Sequence, residues 1–157
     1  LAHPFQTCVR GIQGSLIPVV FISIVVGYGT AVQATPVFGW LVEQVLSLDM
    51  NPYLLTFVAV NLLAGMTANG TGGVTLFMEN FGATILGNPA INVGALHRIA
   101  AISGAGFDSL PHNGAIAFQL SVFKLSYKDG YFQQFMMSVL VNLLAGLLAV
   151  LMAVVLF

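Results

Sequence analysis

The sequence predicts an all-α membrane protein whose transmembrane helices are joined by a re-entrant helical hairpin and a discontinuous helix. Three observations predict it. Of 157 residues, 58% are hydrophobic and 6% are charged, whereas soluble domains carry roughly 25% charged residues. The C-terminal run 135–157 is uncharged and, at ~1.5 Å per helical residue, longer than a ~30 Å hydrocarbon core. Between the longer apolar runs lie short hydrophobic segments flanked by Gly, Pro and Asn, the pattern of hairpins and broken helices in transporters.

Composition excludes some functions at once. A net charge of −1 and no Lys/Arg cluster leave nothing to neutralise phosphates, so nucleic acid is not a partner. Cys8 is the single cysteine; it offers no intramolecular disulfide or Cys-based metal site and reads as a small packing residue. The sequence opens at Leu1 with no basic segment and small-residue cleavage site, so a removed signal peptide is not indicated.

The chain reads as one membrane module. Residues 14–33 form an uncharged span interrupted by Pro18 and by Gly27-Tyr28-Gly29. Thr35-Pro36, Asn51-Pro52 and Asn88-Pro89 each place a capping side chain before a proline, which marks helix starts. Helices are therefore expected at 36–48, 52–68 and 89–105. The first is too short to span and carries Trp40 and Glu43, which puts it at the membrane interface. Residues 52–86 form the hairpin, with the tip at Asn69-Gly70-Thr71-Gly72-Gly73 and a return arm over 74–86 closed by Gly87 in a left-handed cap. Residues 89–124 contain an interfacial segment and the discontinuous helix, and residues 131–157 a final span. Helical rise places Arg98 and Lys124 at opposite faces with 107–113 near the midplane. Arg10, Lys124 and Lys128 on one side make that side cytoplasmic by the positive-inside rule.

Two constellations carry the chemistry. In Gly104-Ala-Gly-Phe-Asp-Ser-Leu-Pro-His-Asn-Gly114, Pro111 breaks the helix and biases Leu110 toward extended geometry. Asn113 can cap the next half-helix, whose N–H groups and dipole suit a carboxylate. Asp108, Ser109 and His112 stand at the same break, and an aspartate at this depth is costly unless protonated, paired or hydrated. Asp108 and His112 are the candidates for proton coupling, because both titrate. The plainer reading is that Asp108 and Ser109 cap a kink. In Thr67-Ala-Asn-Gly-Thr-Gly-Gly73, glycines permit close backbone approach and positive φ. Asn69 and Thr71 add polar side chains, and Thr71 or Gly73 can cap the following helix; an interfacial turn is the plainer alternative. No P-loop lysine follows, so a nucleotide site is unsupported. Glu79-Asn80 reads as hydrated, His97-Arg98 as an interfacial anchor, Gly27–Thr30 as packing or a break, and Asn61 and Asn142 as helix bridges. No catalytic or metal constellation is present: one membrane aspartate supplies no aspartyl pair, and Ser109 has no evident base.

These stretches resemble the gluconate permease (gluconate:proton symporter) family of the ion-transporter superfamily, specifically its C-terminal portion. The resemblance rests on Val26-Gly-Tyr-Gly-Thr-Ala-Val-Gln33, Asn61-Leu-Leu-Ala-Gly-Met-Thr-Ala-Asn-Gly-Thr-Gly-Gly73, Ala95-Leu-His-Arg98, Gly106-Phe-Asp-Ser-Leu-Pro-His-Asn-Gly-Ala115 and the Tyr127-Lys-Asp129 loop. It runs from about residue 14 to the end. It implies one half of an inverted-repeat transporter in the bacterial cytoplasmic (inner) membrane, multi-pass, that moves small organic anions such as gluconate or short hydroxycarboxylates with a coupling H+ or Na+ and no other cofactor. Substrate contacts would fall on Asn69, Gly70, Thr71, Asp108, Ser109, His112 and Asn113. The chain is much shorter than family members, so the expected partners include the lipid bilayer and a missing N-terminal half, a partner subunit or a second copy. The alternative is a non-transporting membrane scaffold subunit whose helix breaks are structural.

Overall fold

The structure, a computed structural model, describes residues 4–157. Among the described residues every regular element is helical: α1 (Pro4–Gln33), α2 (Pro36–Leu46), α3 (Pro52–Thr67), α4 (Gly70–Leu86), α5 (Val93–Gly104), α6 (Gly114–Val122), α7 (Tyr127–Gln134) and α8 (Val141–Leu156). A single 3-10 turn (Phe107–Ser109) lies between α5 and α6, and a π-helical stretch (Phe135–Leu140) joins α7 to α8. The last three elements form one 30-residue helix, Tyr127–Leu156, which among the described residues is the one long and apolar enough to cross a membrane.

Packing is that of a protein in an apolar solvent. On α8, Gly146, Val150 and Ala153 are buried, while Leu144, Leu148, Leu151 and Val155 line the opposite face and are exposed. Those leucines have no polar neighbours to make that face tolerable in water, and lipid removes the penalty. α3 is central. Phe57, Val60 and Leu63 pack in one core with Phe77 and Phe81 of α4, Leu96 and Ile99 of α5, and Val150 and Ala153 of α8. Its apolar character all round fits that position. Gly146 sits against the Phe57 ring, where an added Cβ would approach the ring carbons to 2.5 Å, so glycine lets α3 and α8 close.

Two of the three proline-marked starts form helices as expected. Thr35 Oγ1 accepts from Phe38 N–H and Asn51 Oδ1 from Tyr53 N–H. In α2, Phe38, Val42 and Val45 face the core while Trp40 and Glu43 are exposed, the amphipathic division expected of an interfacial helix. Asn88-Pro89 does not start a helix. The Asn88 carbonyl accepts from Ile91 N–H and its side chain from Ala90 N–H, a turn with proline at its second position. α5 begins at Val93 instead, capped by Asn92, whose own N–H donates to the Tyr53 hydroxyl at 2.9 Å. That long-range bond ties the start of α5 to the start of α3.

Other expectations are corrected. α1 runs through Pro18 and Gly27-Tyr28-Gly29 without interruption and begins ahead of residue 14. Gly87 is right-handed (φ −71°), and no described glycine has positive φ. The left-handed positions belong to Ala68 (φ 51°) and Lys124 (φ 55°). At Lys124 the chain leaves α6 in a Schellman turn, with Leu125 N–H on the Leu120 carbonyl and Lys124 N–H on that of Ser121; this pattern recruits a left-handed residue whatever its identity.

Candidate functional site

α3 and α4 form a tight helical hairpin turned by Ala68 and Asn69 alone. Thr67 ends α3 with its hydroxyl on the Leu63 carbonyl, and Asn69 caps α4 by accepting from Gly72 N–H at 3.1 Å. Asn69 therefore does the capping expected of Thr71 or Gly73, and residues 70–73 are the first turn of α4 rather than a loose tip. Gly73 lies so close to Ala64 that a Cβ would stand 2.5 Å from its backbone nitrogen.

The α5–α6 gap is longer than Pro111 alone requires. α5 already ends at Gly104, followed by the Phe107–Ser109 turn, extended Leu110 (ψ 161°) and the Asn113 cap of α6. Each exposed carbonyl or N–H in such a gap needs a partner away from water, and other elements supply several. Asn61 Oδ1 accepts from Phe107 N–H at 3.3 Å. Asn142 donates to the Ala105 carbonyl, Tyr131 to that of Ser109 and Tyr127 to that of Pro111. Asn61 and Asn142 are thus helix bridges, as the sequence indicates.

Hairpin and gap meet. Gly70 lies against the Gly104 carbonyl, where an added Cβ would collide, and the same Cβ would stand 2.9 Å from Asp108 Oδ2. The Gly70 backbone thus faces the Asp108 carboxylate. Asn113 is the buried link: its Nδ2 lies 3.0 Å from the Ala68 carbonyl, 2.6 Å from that of Asp108 and 2.7 Å from Asp108 Oδ1. Its Oδ1 meanwhile accepts from Ala115 N–H. Of the four basic and five acidic residues, Asp108 alone is not exposed.

The meeting point opens as a cleft of about 390 Å³ lined by Gly70, Thr71, Val74, Ala101, Gly104, Ala105 and Asp108, a volume suited to a small metabolite. Gly70, Thr71 and Asp108 therefore line one cavity. Asn69 and Asn113 stand behind it as caps. Ser109 contributes its carbonyl to Tyr131. His112 faces elsewhere: its Nε2 lies 2.7 Å from the Gly65 carbonyl, and its ring meets Tyr28 of α1 edge-on at 6.3 Å. The two proton-coupling candidates thus engage different neighbours. Sequence reasoning missed the small wall residues Ala101, Gly104 and Ala105. A spacing of three to four small residues on α5 was the available signal. It had no comparable signal for Tyr127 and Tyr131, whose partners are backbone carbonyls.

The gap is not centred along the long C-terminal helix. Ala105 lies beside Asn142, midway along Tyr127–Leu156, whereas Ser109 and Pro111 lie beside the first turns of α7. The expected midplane position of 107–113 assumed helix as far as Asp108. Because α5 stops at Gly104, the chain descends toward the α7 end instead.

An apolar helix long enough to cross a membrane, with a helical hairpin and a helix break that meet at a half-buried carboxylate, fits a helical membrane protein of transporter type. The chain is 28% identical over 125 residues to "Uncharacterized transporter YxjC" of Bacillus subtilis (strain 168), a match covering 78% of this chain and 26% of that protein. It thus spans about a quarter of the length of the curated relative it matches. No family model and no solved structure matches the chain. The similarity reaches transporters as a class, and the likeness to gluconate permeases rests on the motifs alone.

Proposed function

We propose that the chain is the substrate-binding part of an ion-coupled secondary transporter for small organic anions, with gluconate and short hydroxycarboxylates as the substrate class. The observation that carries this reading is the shared cleft, where the first turn of α4 and the gap before α6 present Gly70, Thr71 and Asp108 to one space. Its small residues leave backbone accessible, and the start of α4 offers positive dipole to a carboxylate.

Asp108 gives the coupling a physical basis. An organic anion about 5 Å from an ionised Asp108 is opposed by roughly 3 kcal/mol at an effective dielectric constant of ~20. A proton or Na+ taken up at Asp108 removes that repulsion, so cation and anion bind better together than apart, which is what symport requires. In this reading the chain works in the bacterial cytoplasmic membrane, as a multi-pass transporter rather than an enzyme. The opposing wall of the cavity comes from a missing N-terminal half, a partner subunit or a second copy. The hairpin is re-entrant, and the module is one half of an inverted repeat.

A second reading has an observation in its favour. No buried side-chain polar atom among the described residues lacks a partner, as expected of a scaffold subunit whose breaks are structural. Counterflow of labelled gluconate and 3-hydroxybutyrate in proteoliposomes, using the chain with its native partner, separates the two. The transporter reading expects counterflow of at least one anion and its loss in Thr71→Val. The scaffold reading expects assembly transport that does not respond to changes at Asn69, Asp108 or His112.

A further inference from the structure

The C-terminal helix does more than cross the bilayer. Tyr127 and Tyr131 are one turn apart on α7, with ring centroids 5.8 Å from each other. Their hydroxyls donate to successive free carbonyls of the gap, Tyr131 to Ser109 at 3.2 Å and Tyr127 to Pro111 at 3.0 Å. We propose that Tyr127 and Tyr131 are positioning residues of the cleft, which orient the two peptide units leading into His112 and Asn113.

In a trans peptide the carbonyl and the following N–H point in opposite directions, and the described residues contain no cis bond. Holding the Pro111 carbonyl toward Tyr127 therefore turns the His112 N–H away from α7. Holding the Ser109 carbonyl toward Tyr131 turns the Leu110 N–H the other way, onto the Phe107 carbonyl, which closes the 3-10 turn containing Asp108. Pro111 has no N–H, and within the gap the Asn113 N–H on the Leu110 carbonyl closes a four-residue turn around the Pro111–His112 unit; the Tyr127 hydroxyl holds that unit's carbonyl from outside the turn. From these two anchored units His112 reaches the Gly65 carbonyl and Asn113 the Ala68 carbonyl. The route is continuous: α7 hydroxyl, gap carbonyl, peptide plane, side chain, hairpin.

The same helix is locally unusual just beyond the tyrosines. Phe135, whose ring lies 6.1 Å from that of Tyr131, opens the π-helical stretch. Ser138 Oγ donates to the Gln134 carbonyl and Asn142 Nδ2 to that of Ser138, so side chains supplement the wider backbone turn. Asn142 Nδ2 also lies 3.3 Å from the Ala105 carbonyl. The gap is thus held at both ends by one helix, with a π stretch between the contacts, a feature found frequently at functional sites. The competing role for Tyr127 is an interfacial anchor, since it is 44% exposed; such a role does not involve the state of His112.

The significance for the cleft rests on the transport reading, so the test has an arm independent of substrate. The chain, labelled with 15N-histidine and placed in lipid nanodiscs, is examined by NMR at alkaline pH, with His112→Asn assigning the His112 ring. Because the Gly65 carbonyl only accepts, wild-type His112 is expected to hold the Nε2–H tautomer alone. Tyr127→Phe, and more strongly the Tyr127→Phe/Tyr131→Phe pair, are expected to give both tautomers with helicity unchanged. A folded pair with the wild-type tautomer overturns the proposal; if the pair does not fold, the single variants decide in the same way. In parallel, gluconate counterflow by the chain with its native partner is expected to show about a tenfold higher half-saturation in the pair, the scale of one or two lost hydrogen bonds. Absent wild-type counterflow removes gluconate from the transport reading and leaves the tautomer result standing.

Discussion

The α3–α4 turn and the α5–α6 gap face each other across one cleft, yet they are built in opposite ways. The turn has two residues and is closed mainly by near neighbours: Asn69 caps α4, Thr67 bonds back along α3, and glycines let the helices touch. The gap spans 105–113 and leans on distant partners, namely Asn61, Tyr127, Tyr131 and Asn142. Asn113 bonds both its own gap and the Ala68 carbonyl at the turn itself. A locally closed hairpin can keep its shape while moving, whereas a gap held by side chains of α3 and the C-terminal helix changes only when its supports do. The comparison assigns rigidity to the hairpin and conditional geometry to the gap.

The largest expected effect breaks the contact between the two regions. Gly70→Val drives a branched side chain into the Gly104 backbone and Asp108, and no rotamer avoids a backbone clash at Cβ. Loss of folded yield in detergent is expected, with destabilisation above about 3 kcal/mol. Gly72→Ala on the same turn meets only the Asn69 side chain, at 3.3 Å, and should fold. Equal behaviour of the two by thermal melting would contradict the close approach.

Asp108→Asn comes next and acts on function. The amide has one acceptor oxygen where the carboxylate meets Asn113 Nδ2 at Oδ1 and the Gly70 backbone at Oδ2, so a stability loss of about 1–2 kcal/mol is expected. Gluconate uptake by the wild-type assembly should rise as external pH falls if protons are the coupling ion, and the variant's uptake should be flat with pH. Full pH dependence in the variant excludes Asp108 as the proton carrier.

Asn113→Ala sharpens the comparison, since it releases the buried side chain that bonds both the gap and the Ala68 carbonyl of the turn. It strands the Ala68 and Asp108 carbonyls, and a loss of about 2–3 kcal/mol is expected. Hydrogen exchange should quicken across 105–113 and much less along α3. Uniform acceleration would mean that the hairpin depends on the gap as heavily as the reverse. The smallest effect is Ala68→Gly. Relief of left-handed strain of about 1 kcal/mol is nearly offset by added backbone entropy, so the melting temperature should shift by only a degree or two in either direction. A large loss would show that the Ala68 methyl, buried at the meeting point, matters more than its φ.

Much of the helix layout was legible because caps and prolines act locally. Thr35-Pro36 and Asn51-Pro52 start helices where their side chains can reach the next free N–H groups. Asn88-Pro89 carries the same local signal but forms a turn, because the Tyr53 hydroxyl fixes Asn92 as the cap, and a contact of that range leaves no trace in neighbouring residues. The positive-φ expectation at glycines failed for a related reason. Gly70 is needed for its missing Cβ against Gly104, not for its φ. The unbroken α1 shows proline and glycine tolerated in a long apolar helix. The candidate residues Gly70, Thr71 and Asp108 were legible because polar or flexible residues between apolar helices have few other uses. Their arrangement was not, since it depends on α5 ending at Gly104 and on tyrosines that bond to backbone carbonyls.

The closeness of the hairpin and the gap in the working protein underlies every effect above. Thr71 of the hairpin and Ala105 of the gap both line the cleft, so Thr71→Cys/Ala105→Cys, made with Cys8→Ser, can be treated with a short bifunctional thiol reagent in proteoliposomes containing the native partner. The account predicts an intramolecular cross-link that forms more slowly when gluconate is present and that stops counterflow once formed. Failure to cross-link, or cross-linked protein that transports at the full rate, would contradict it.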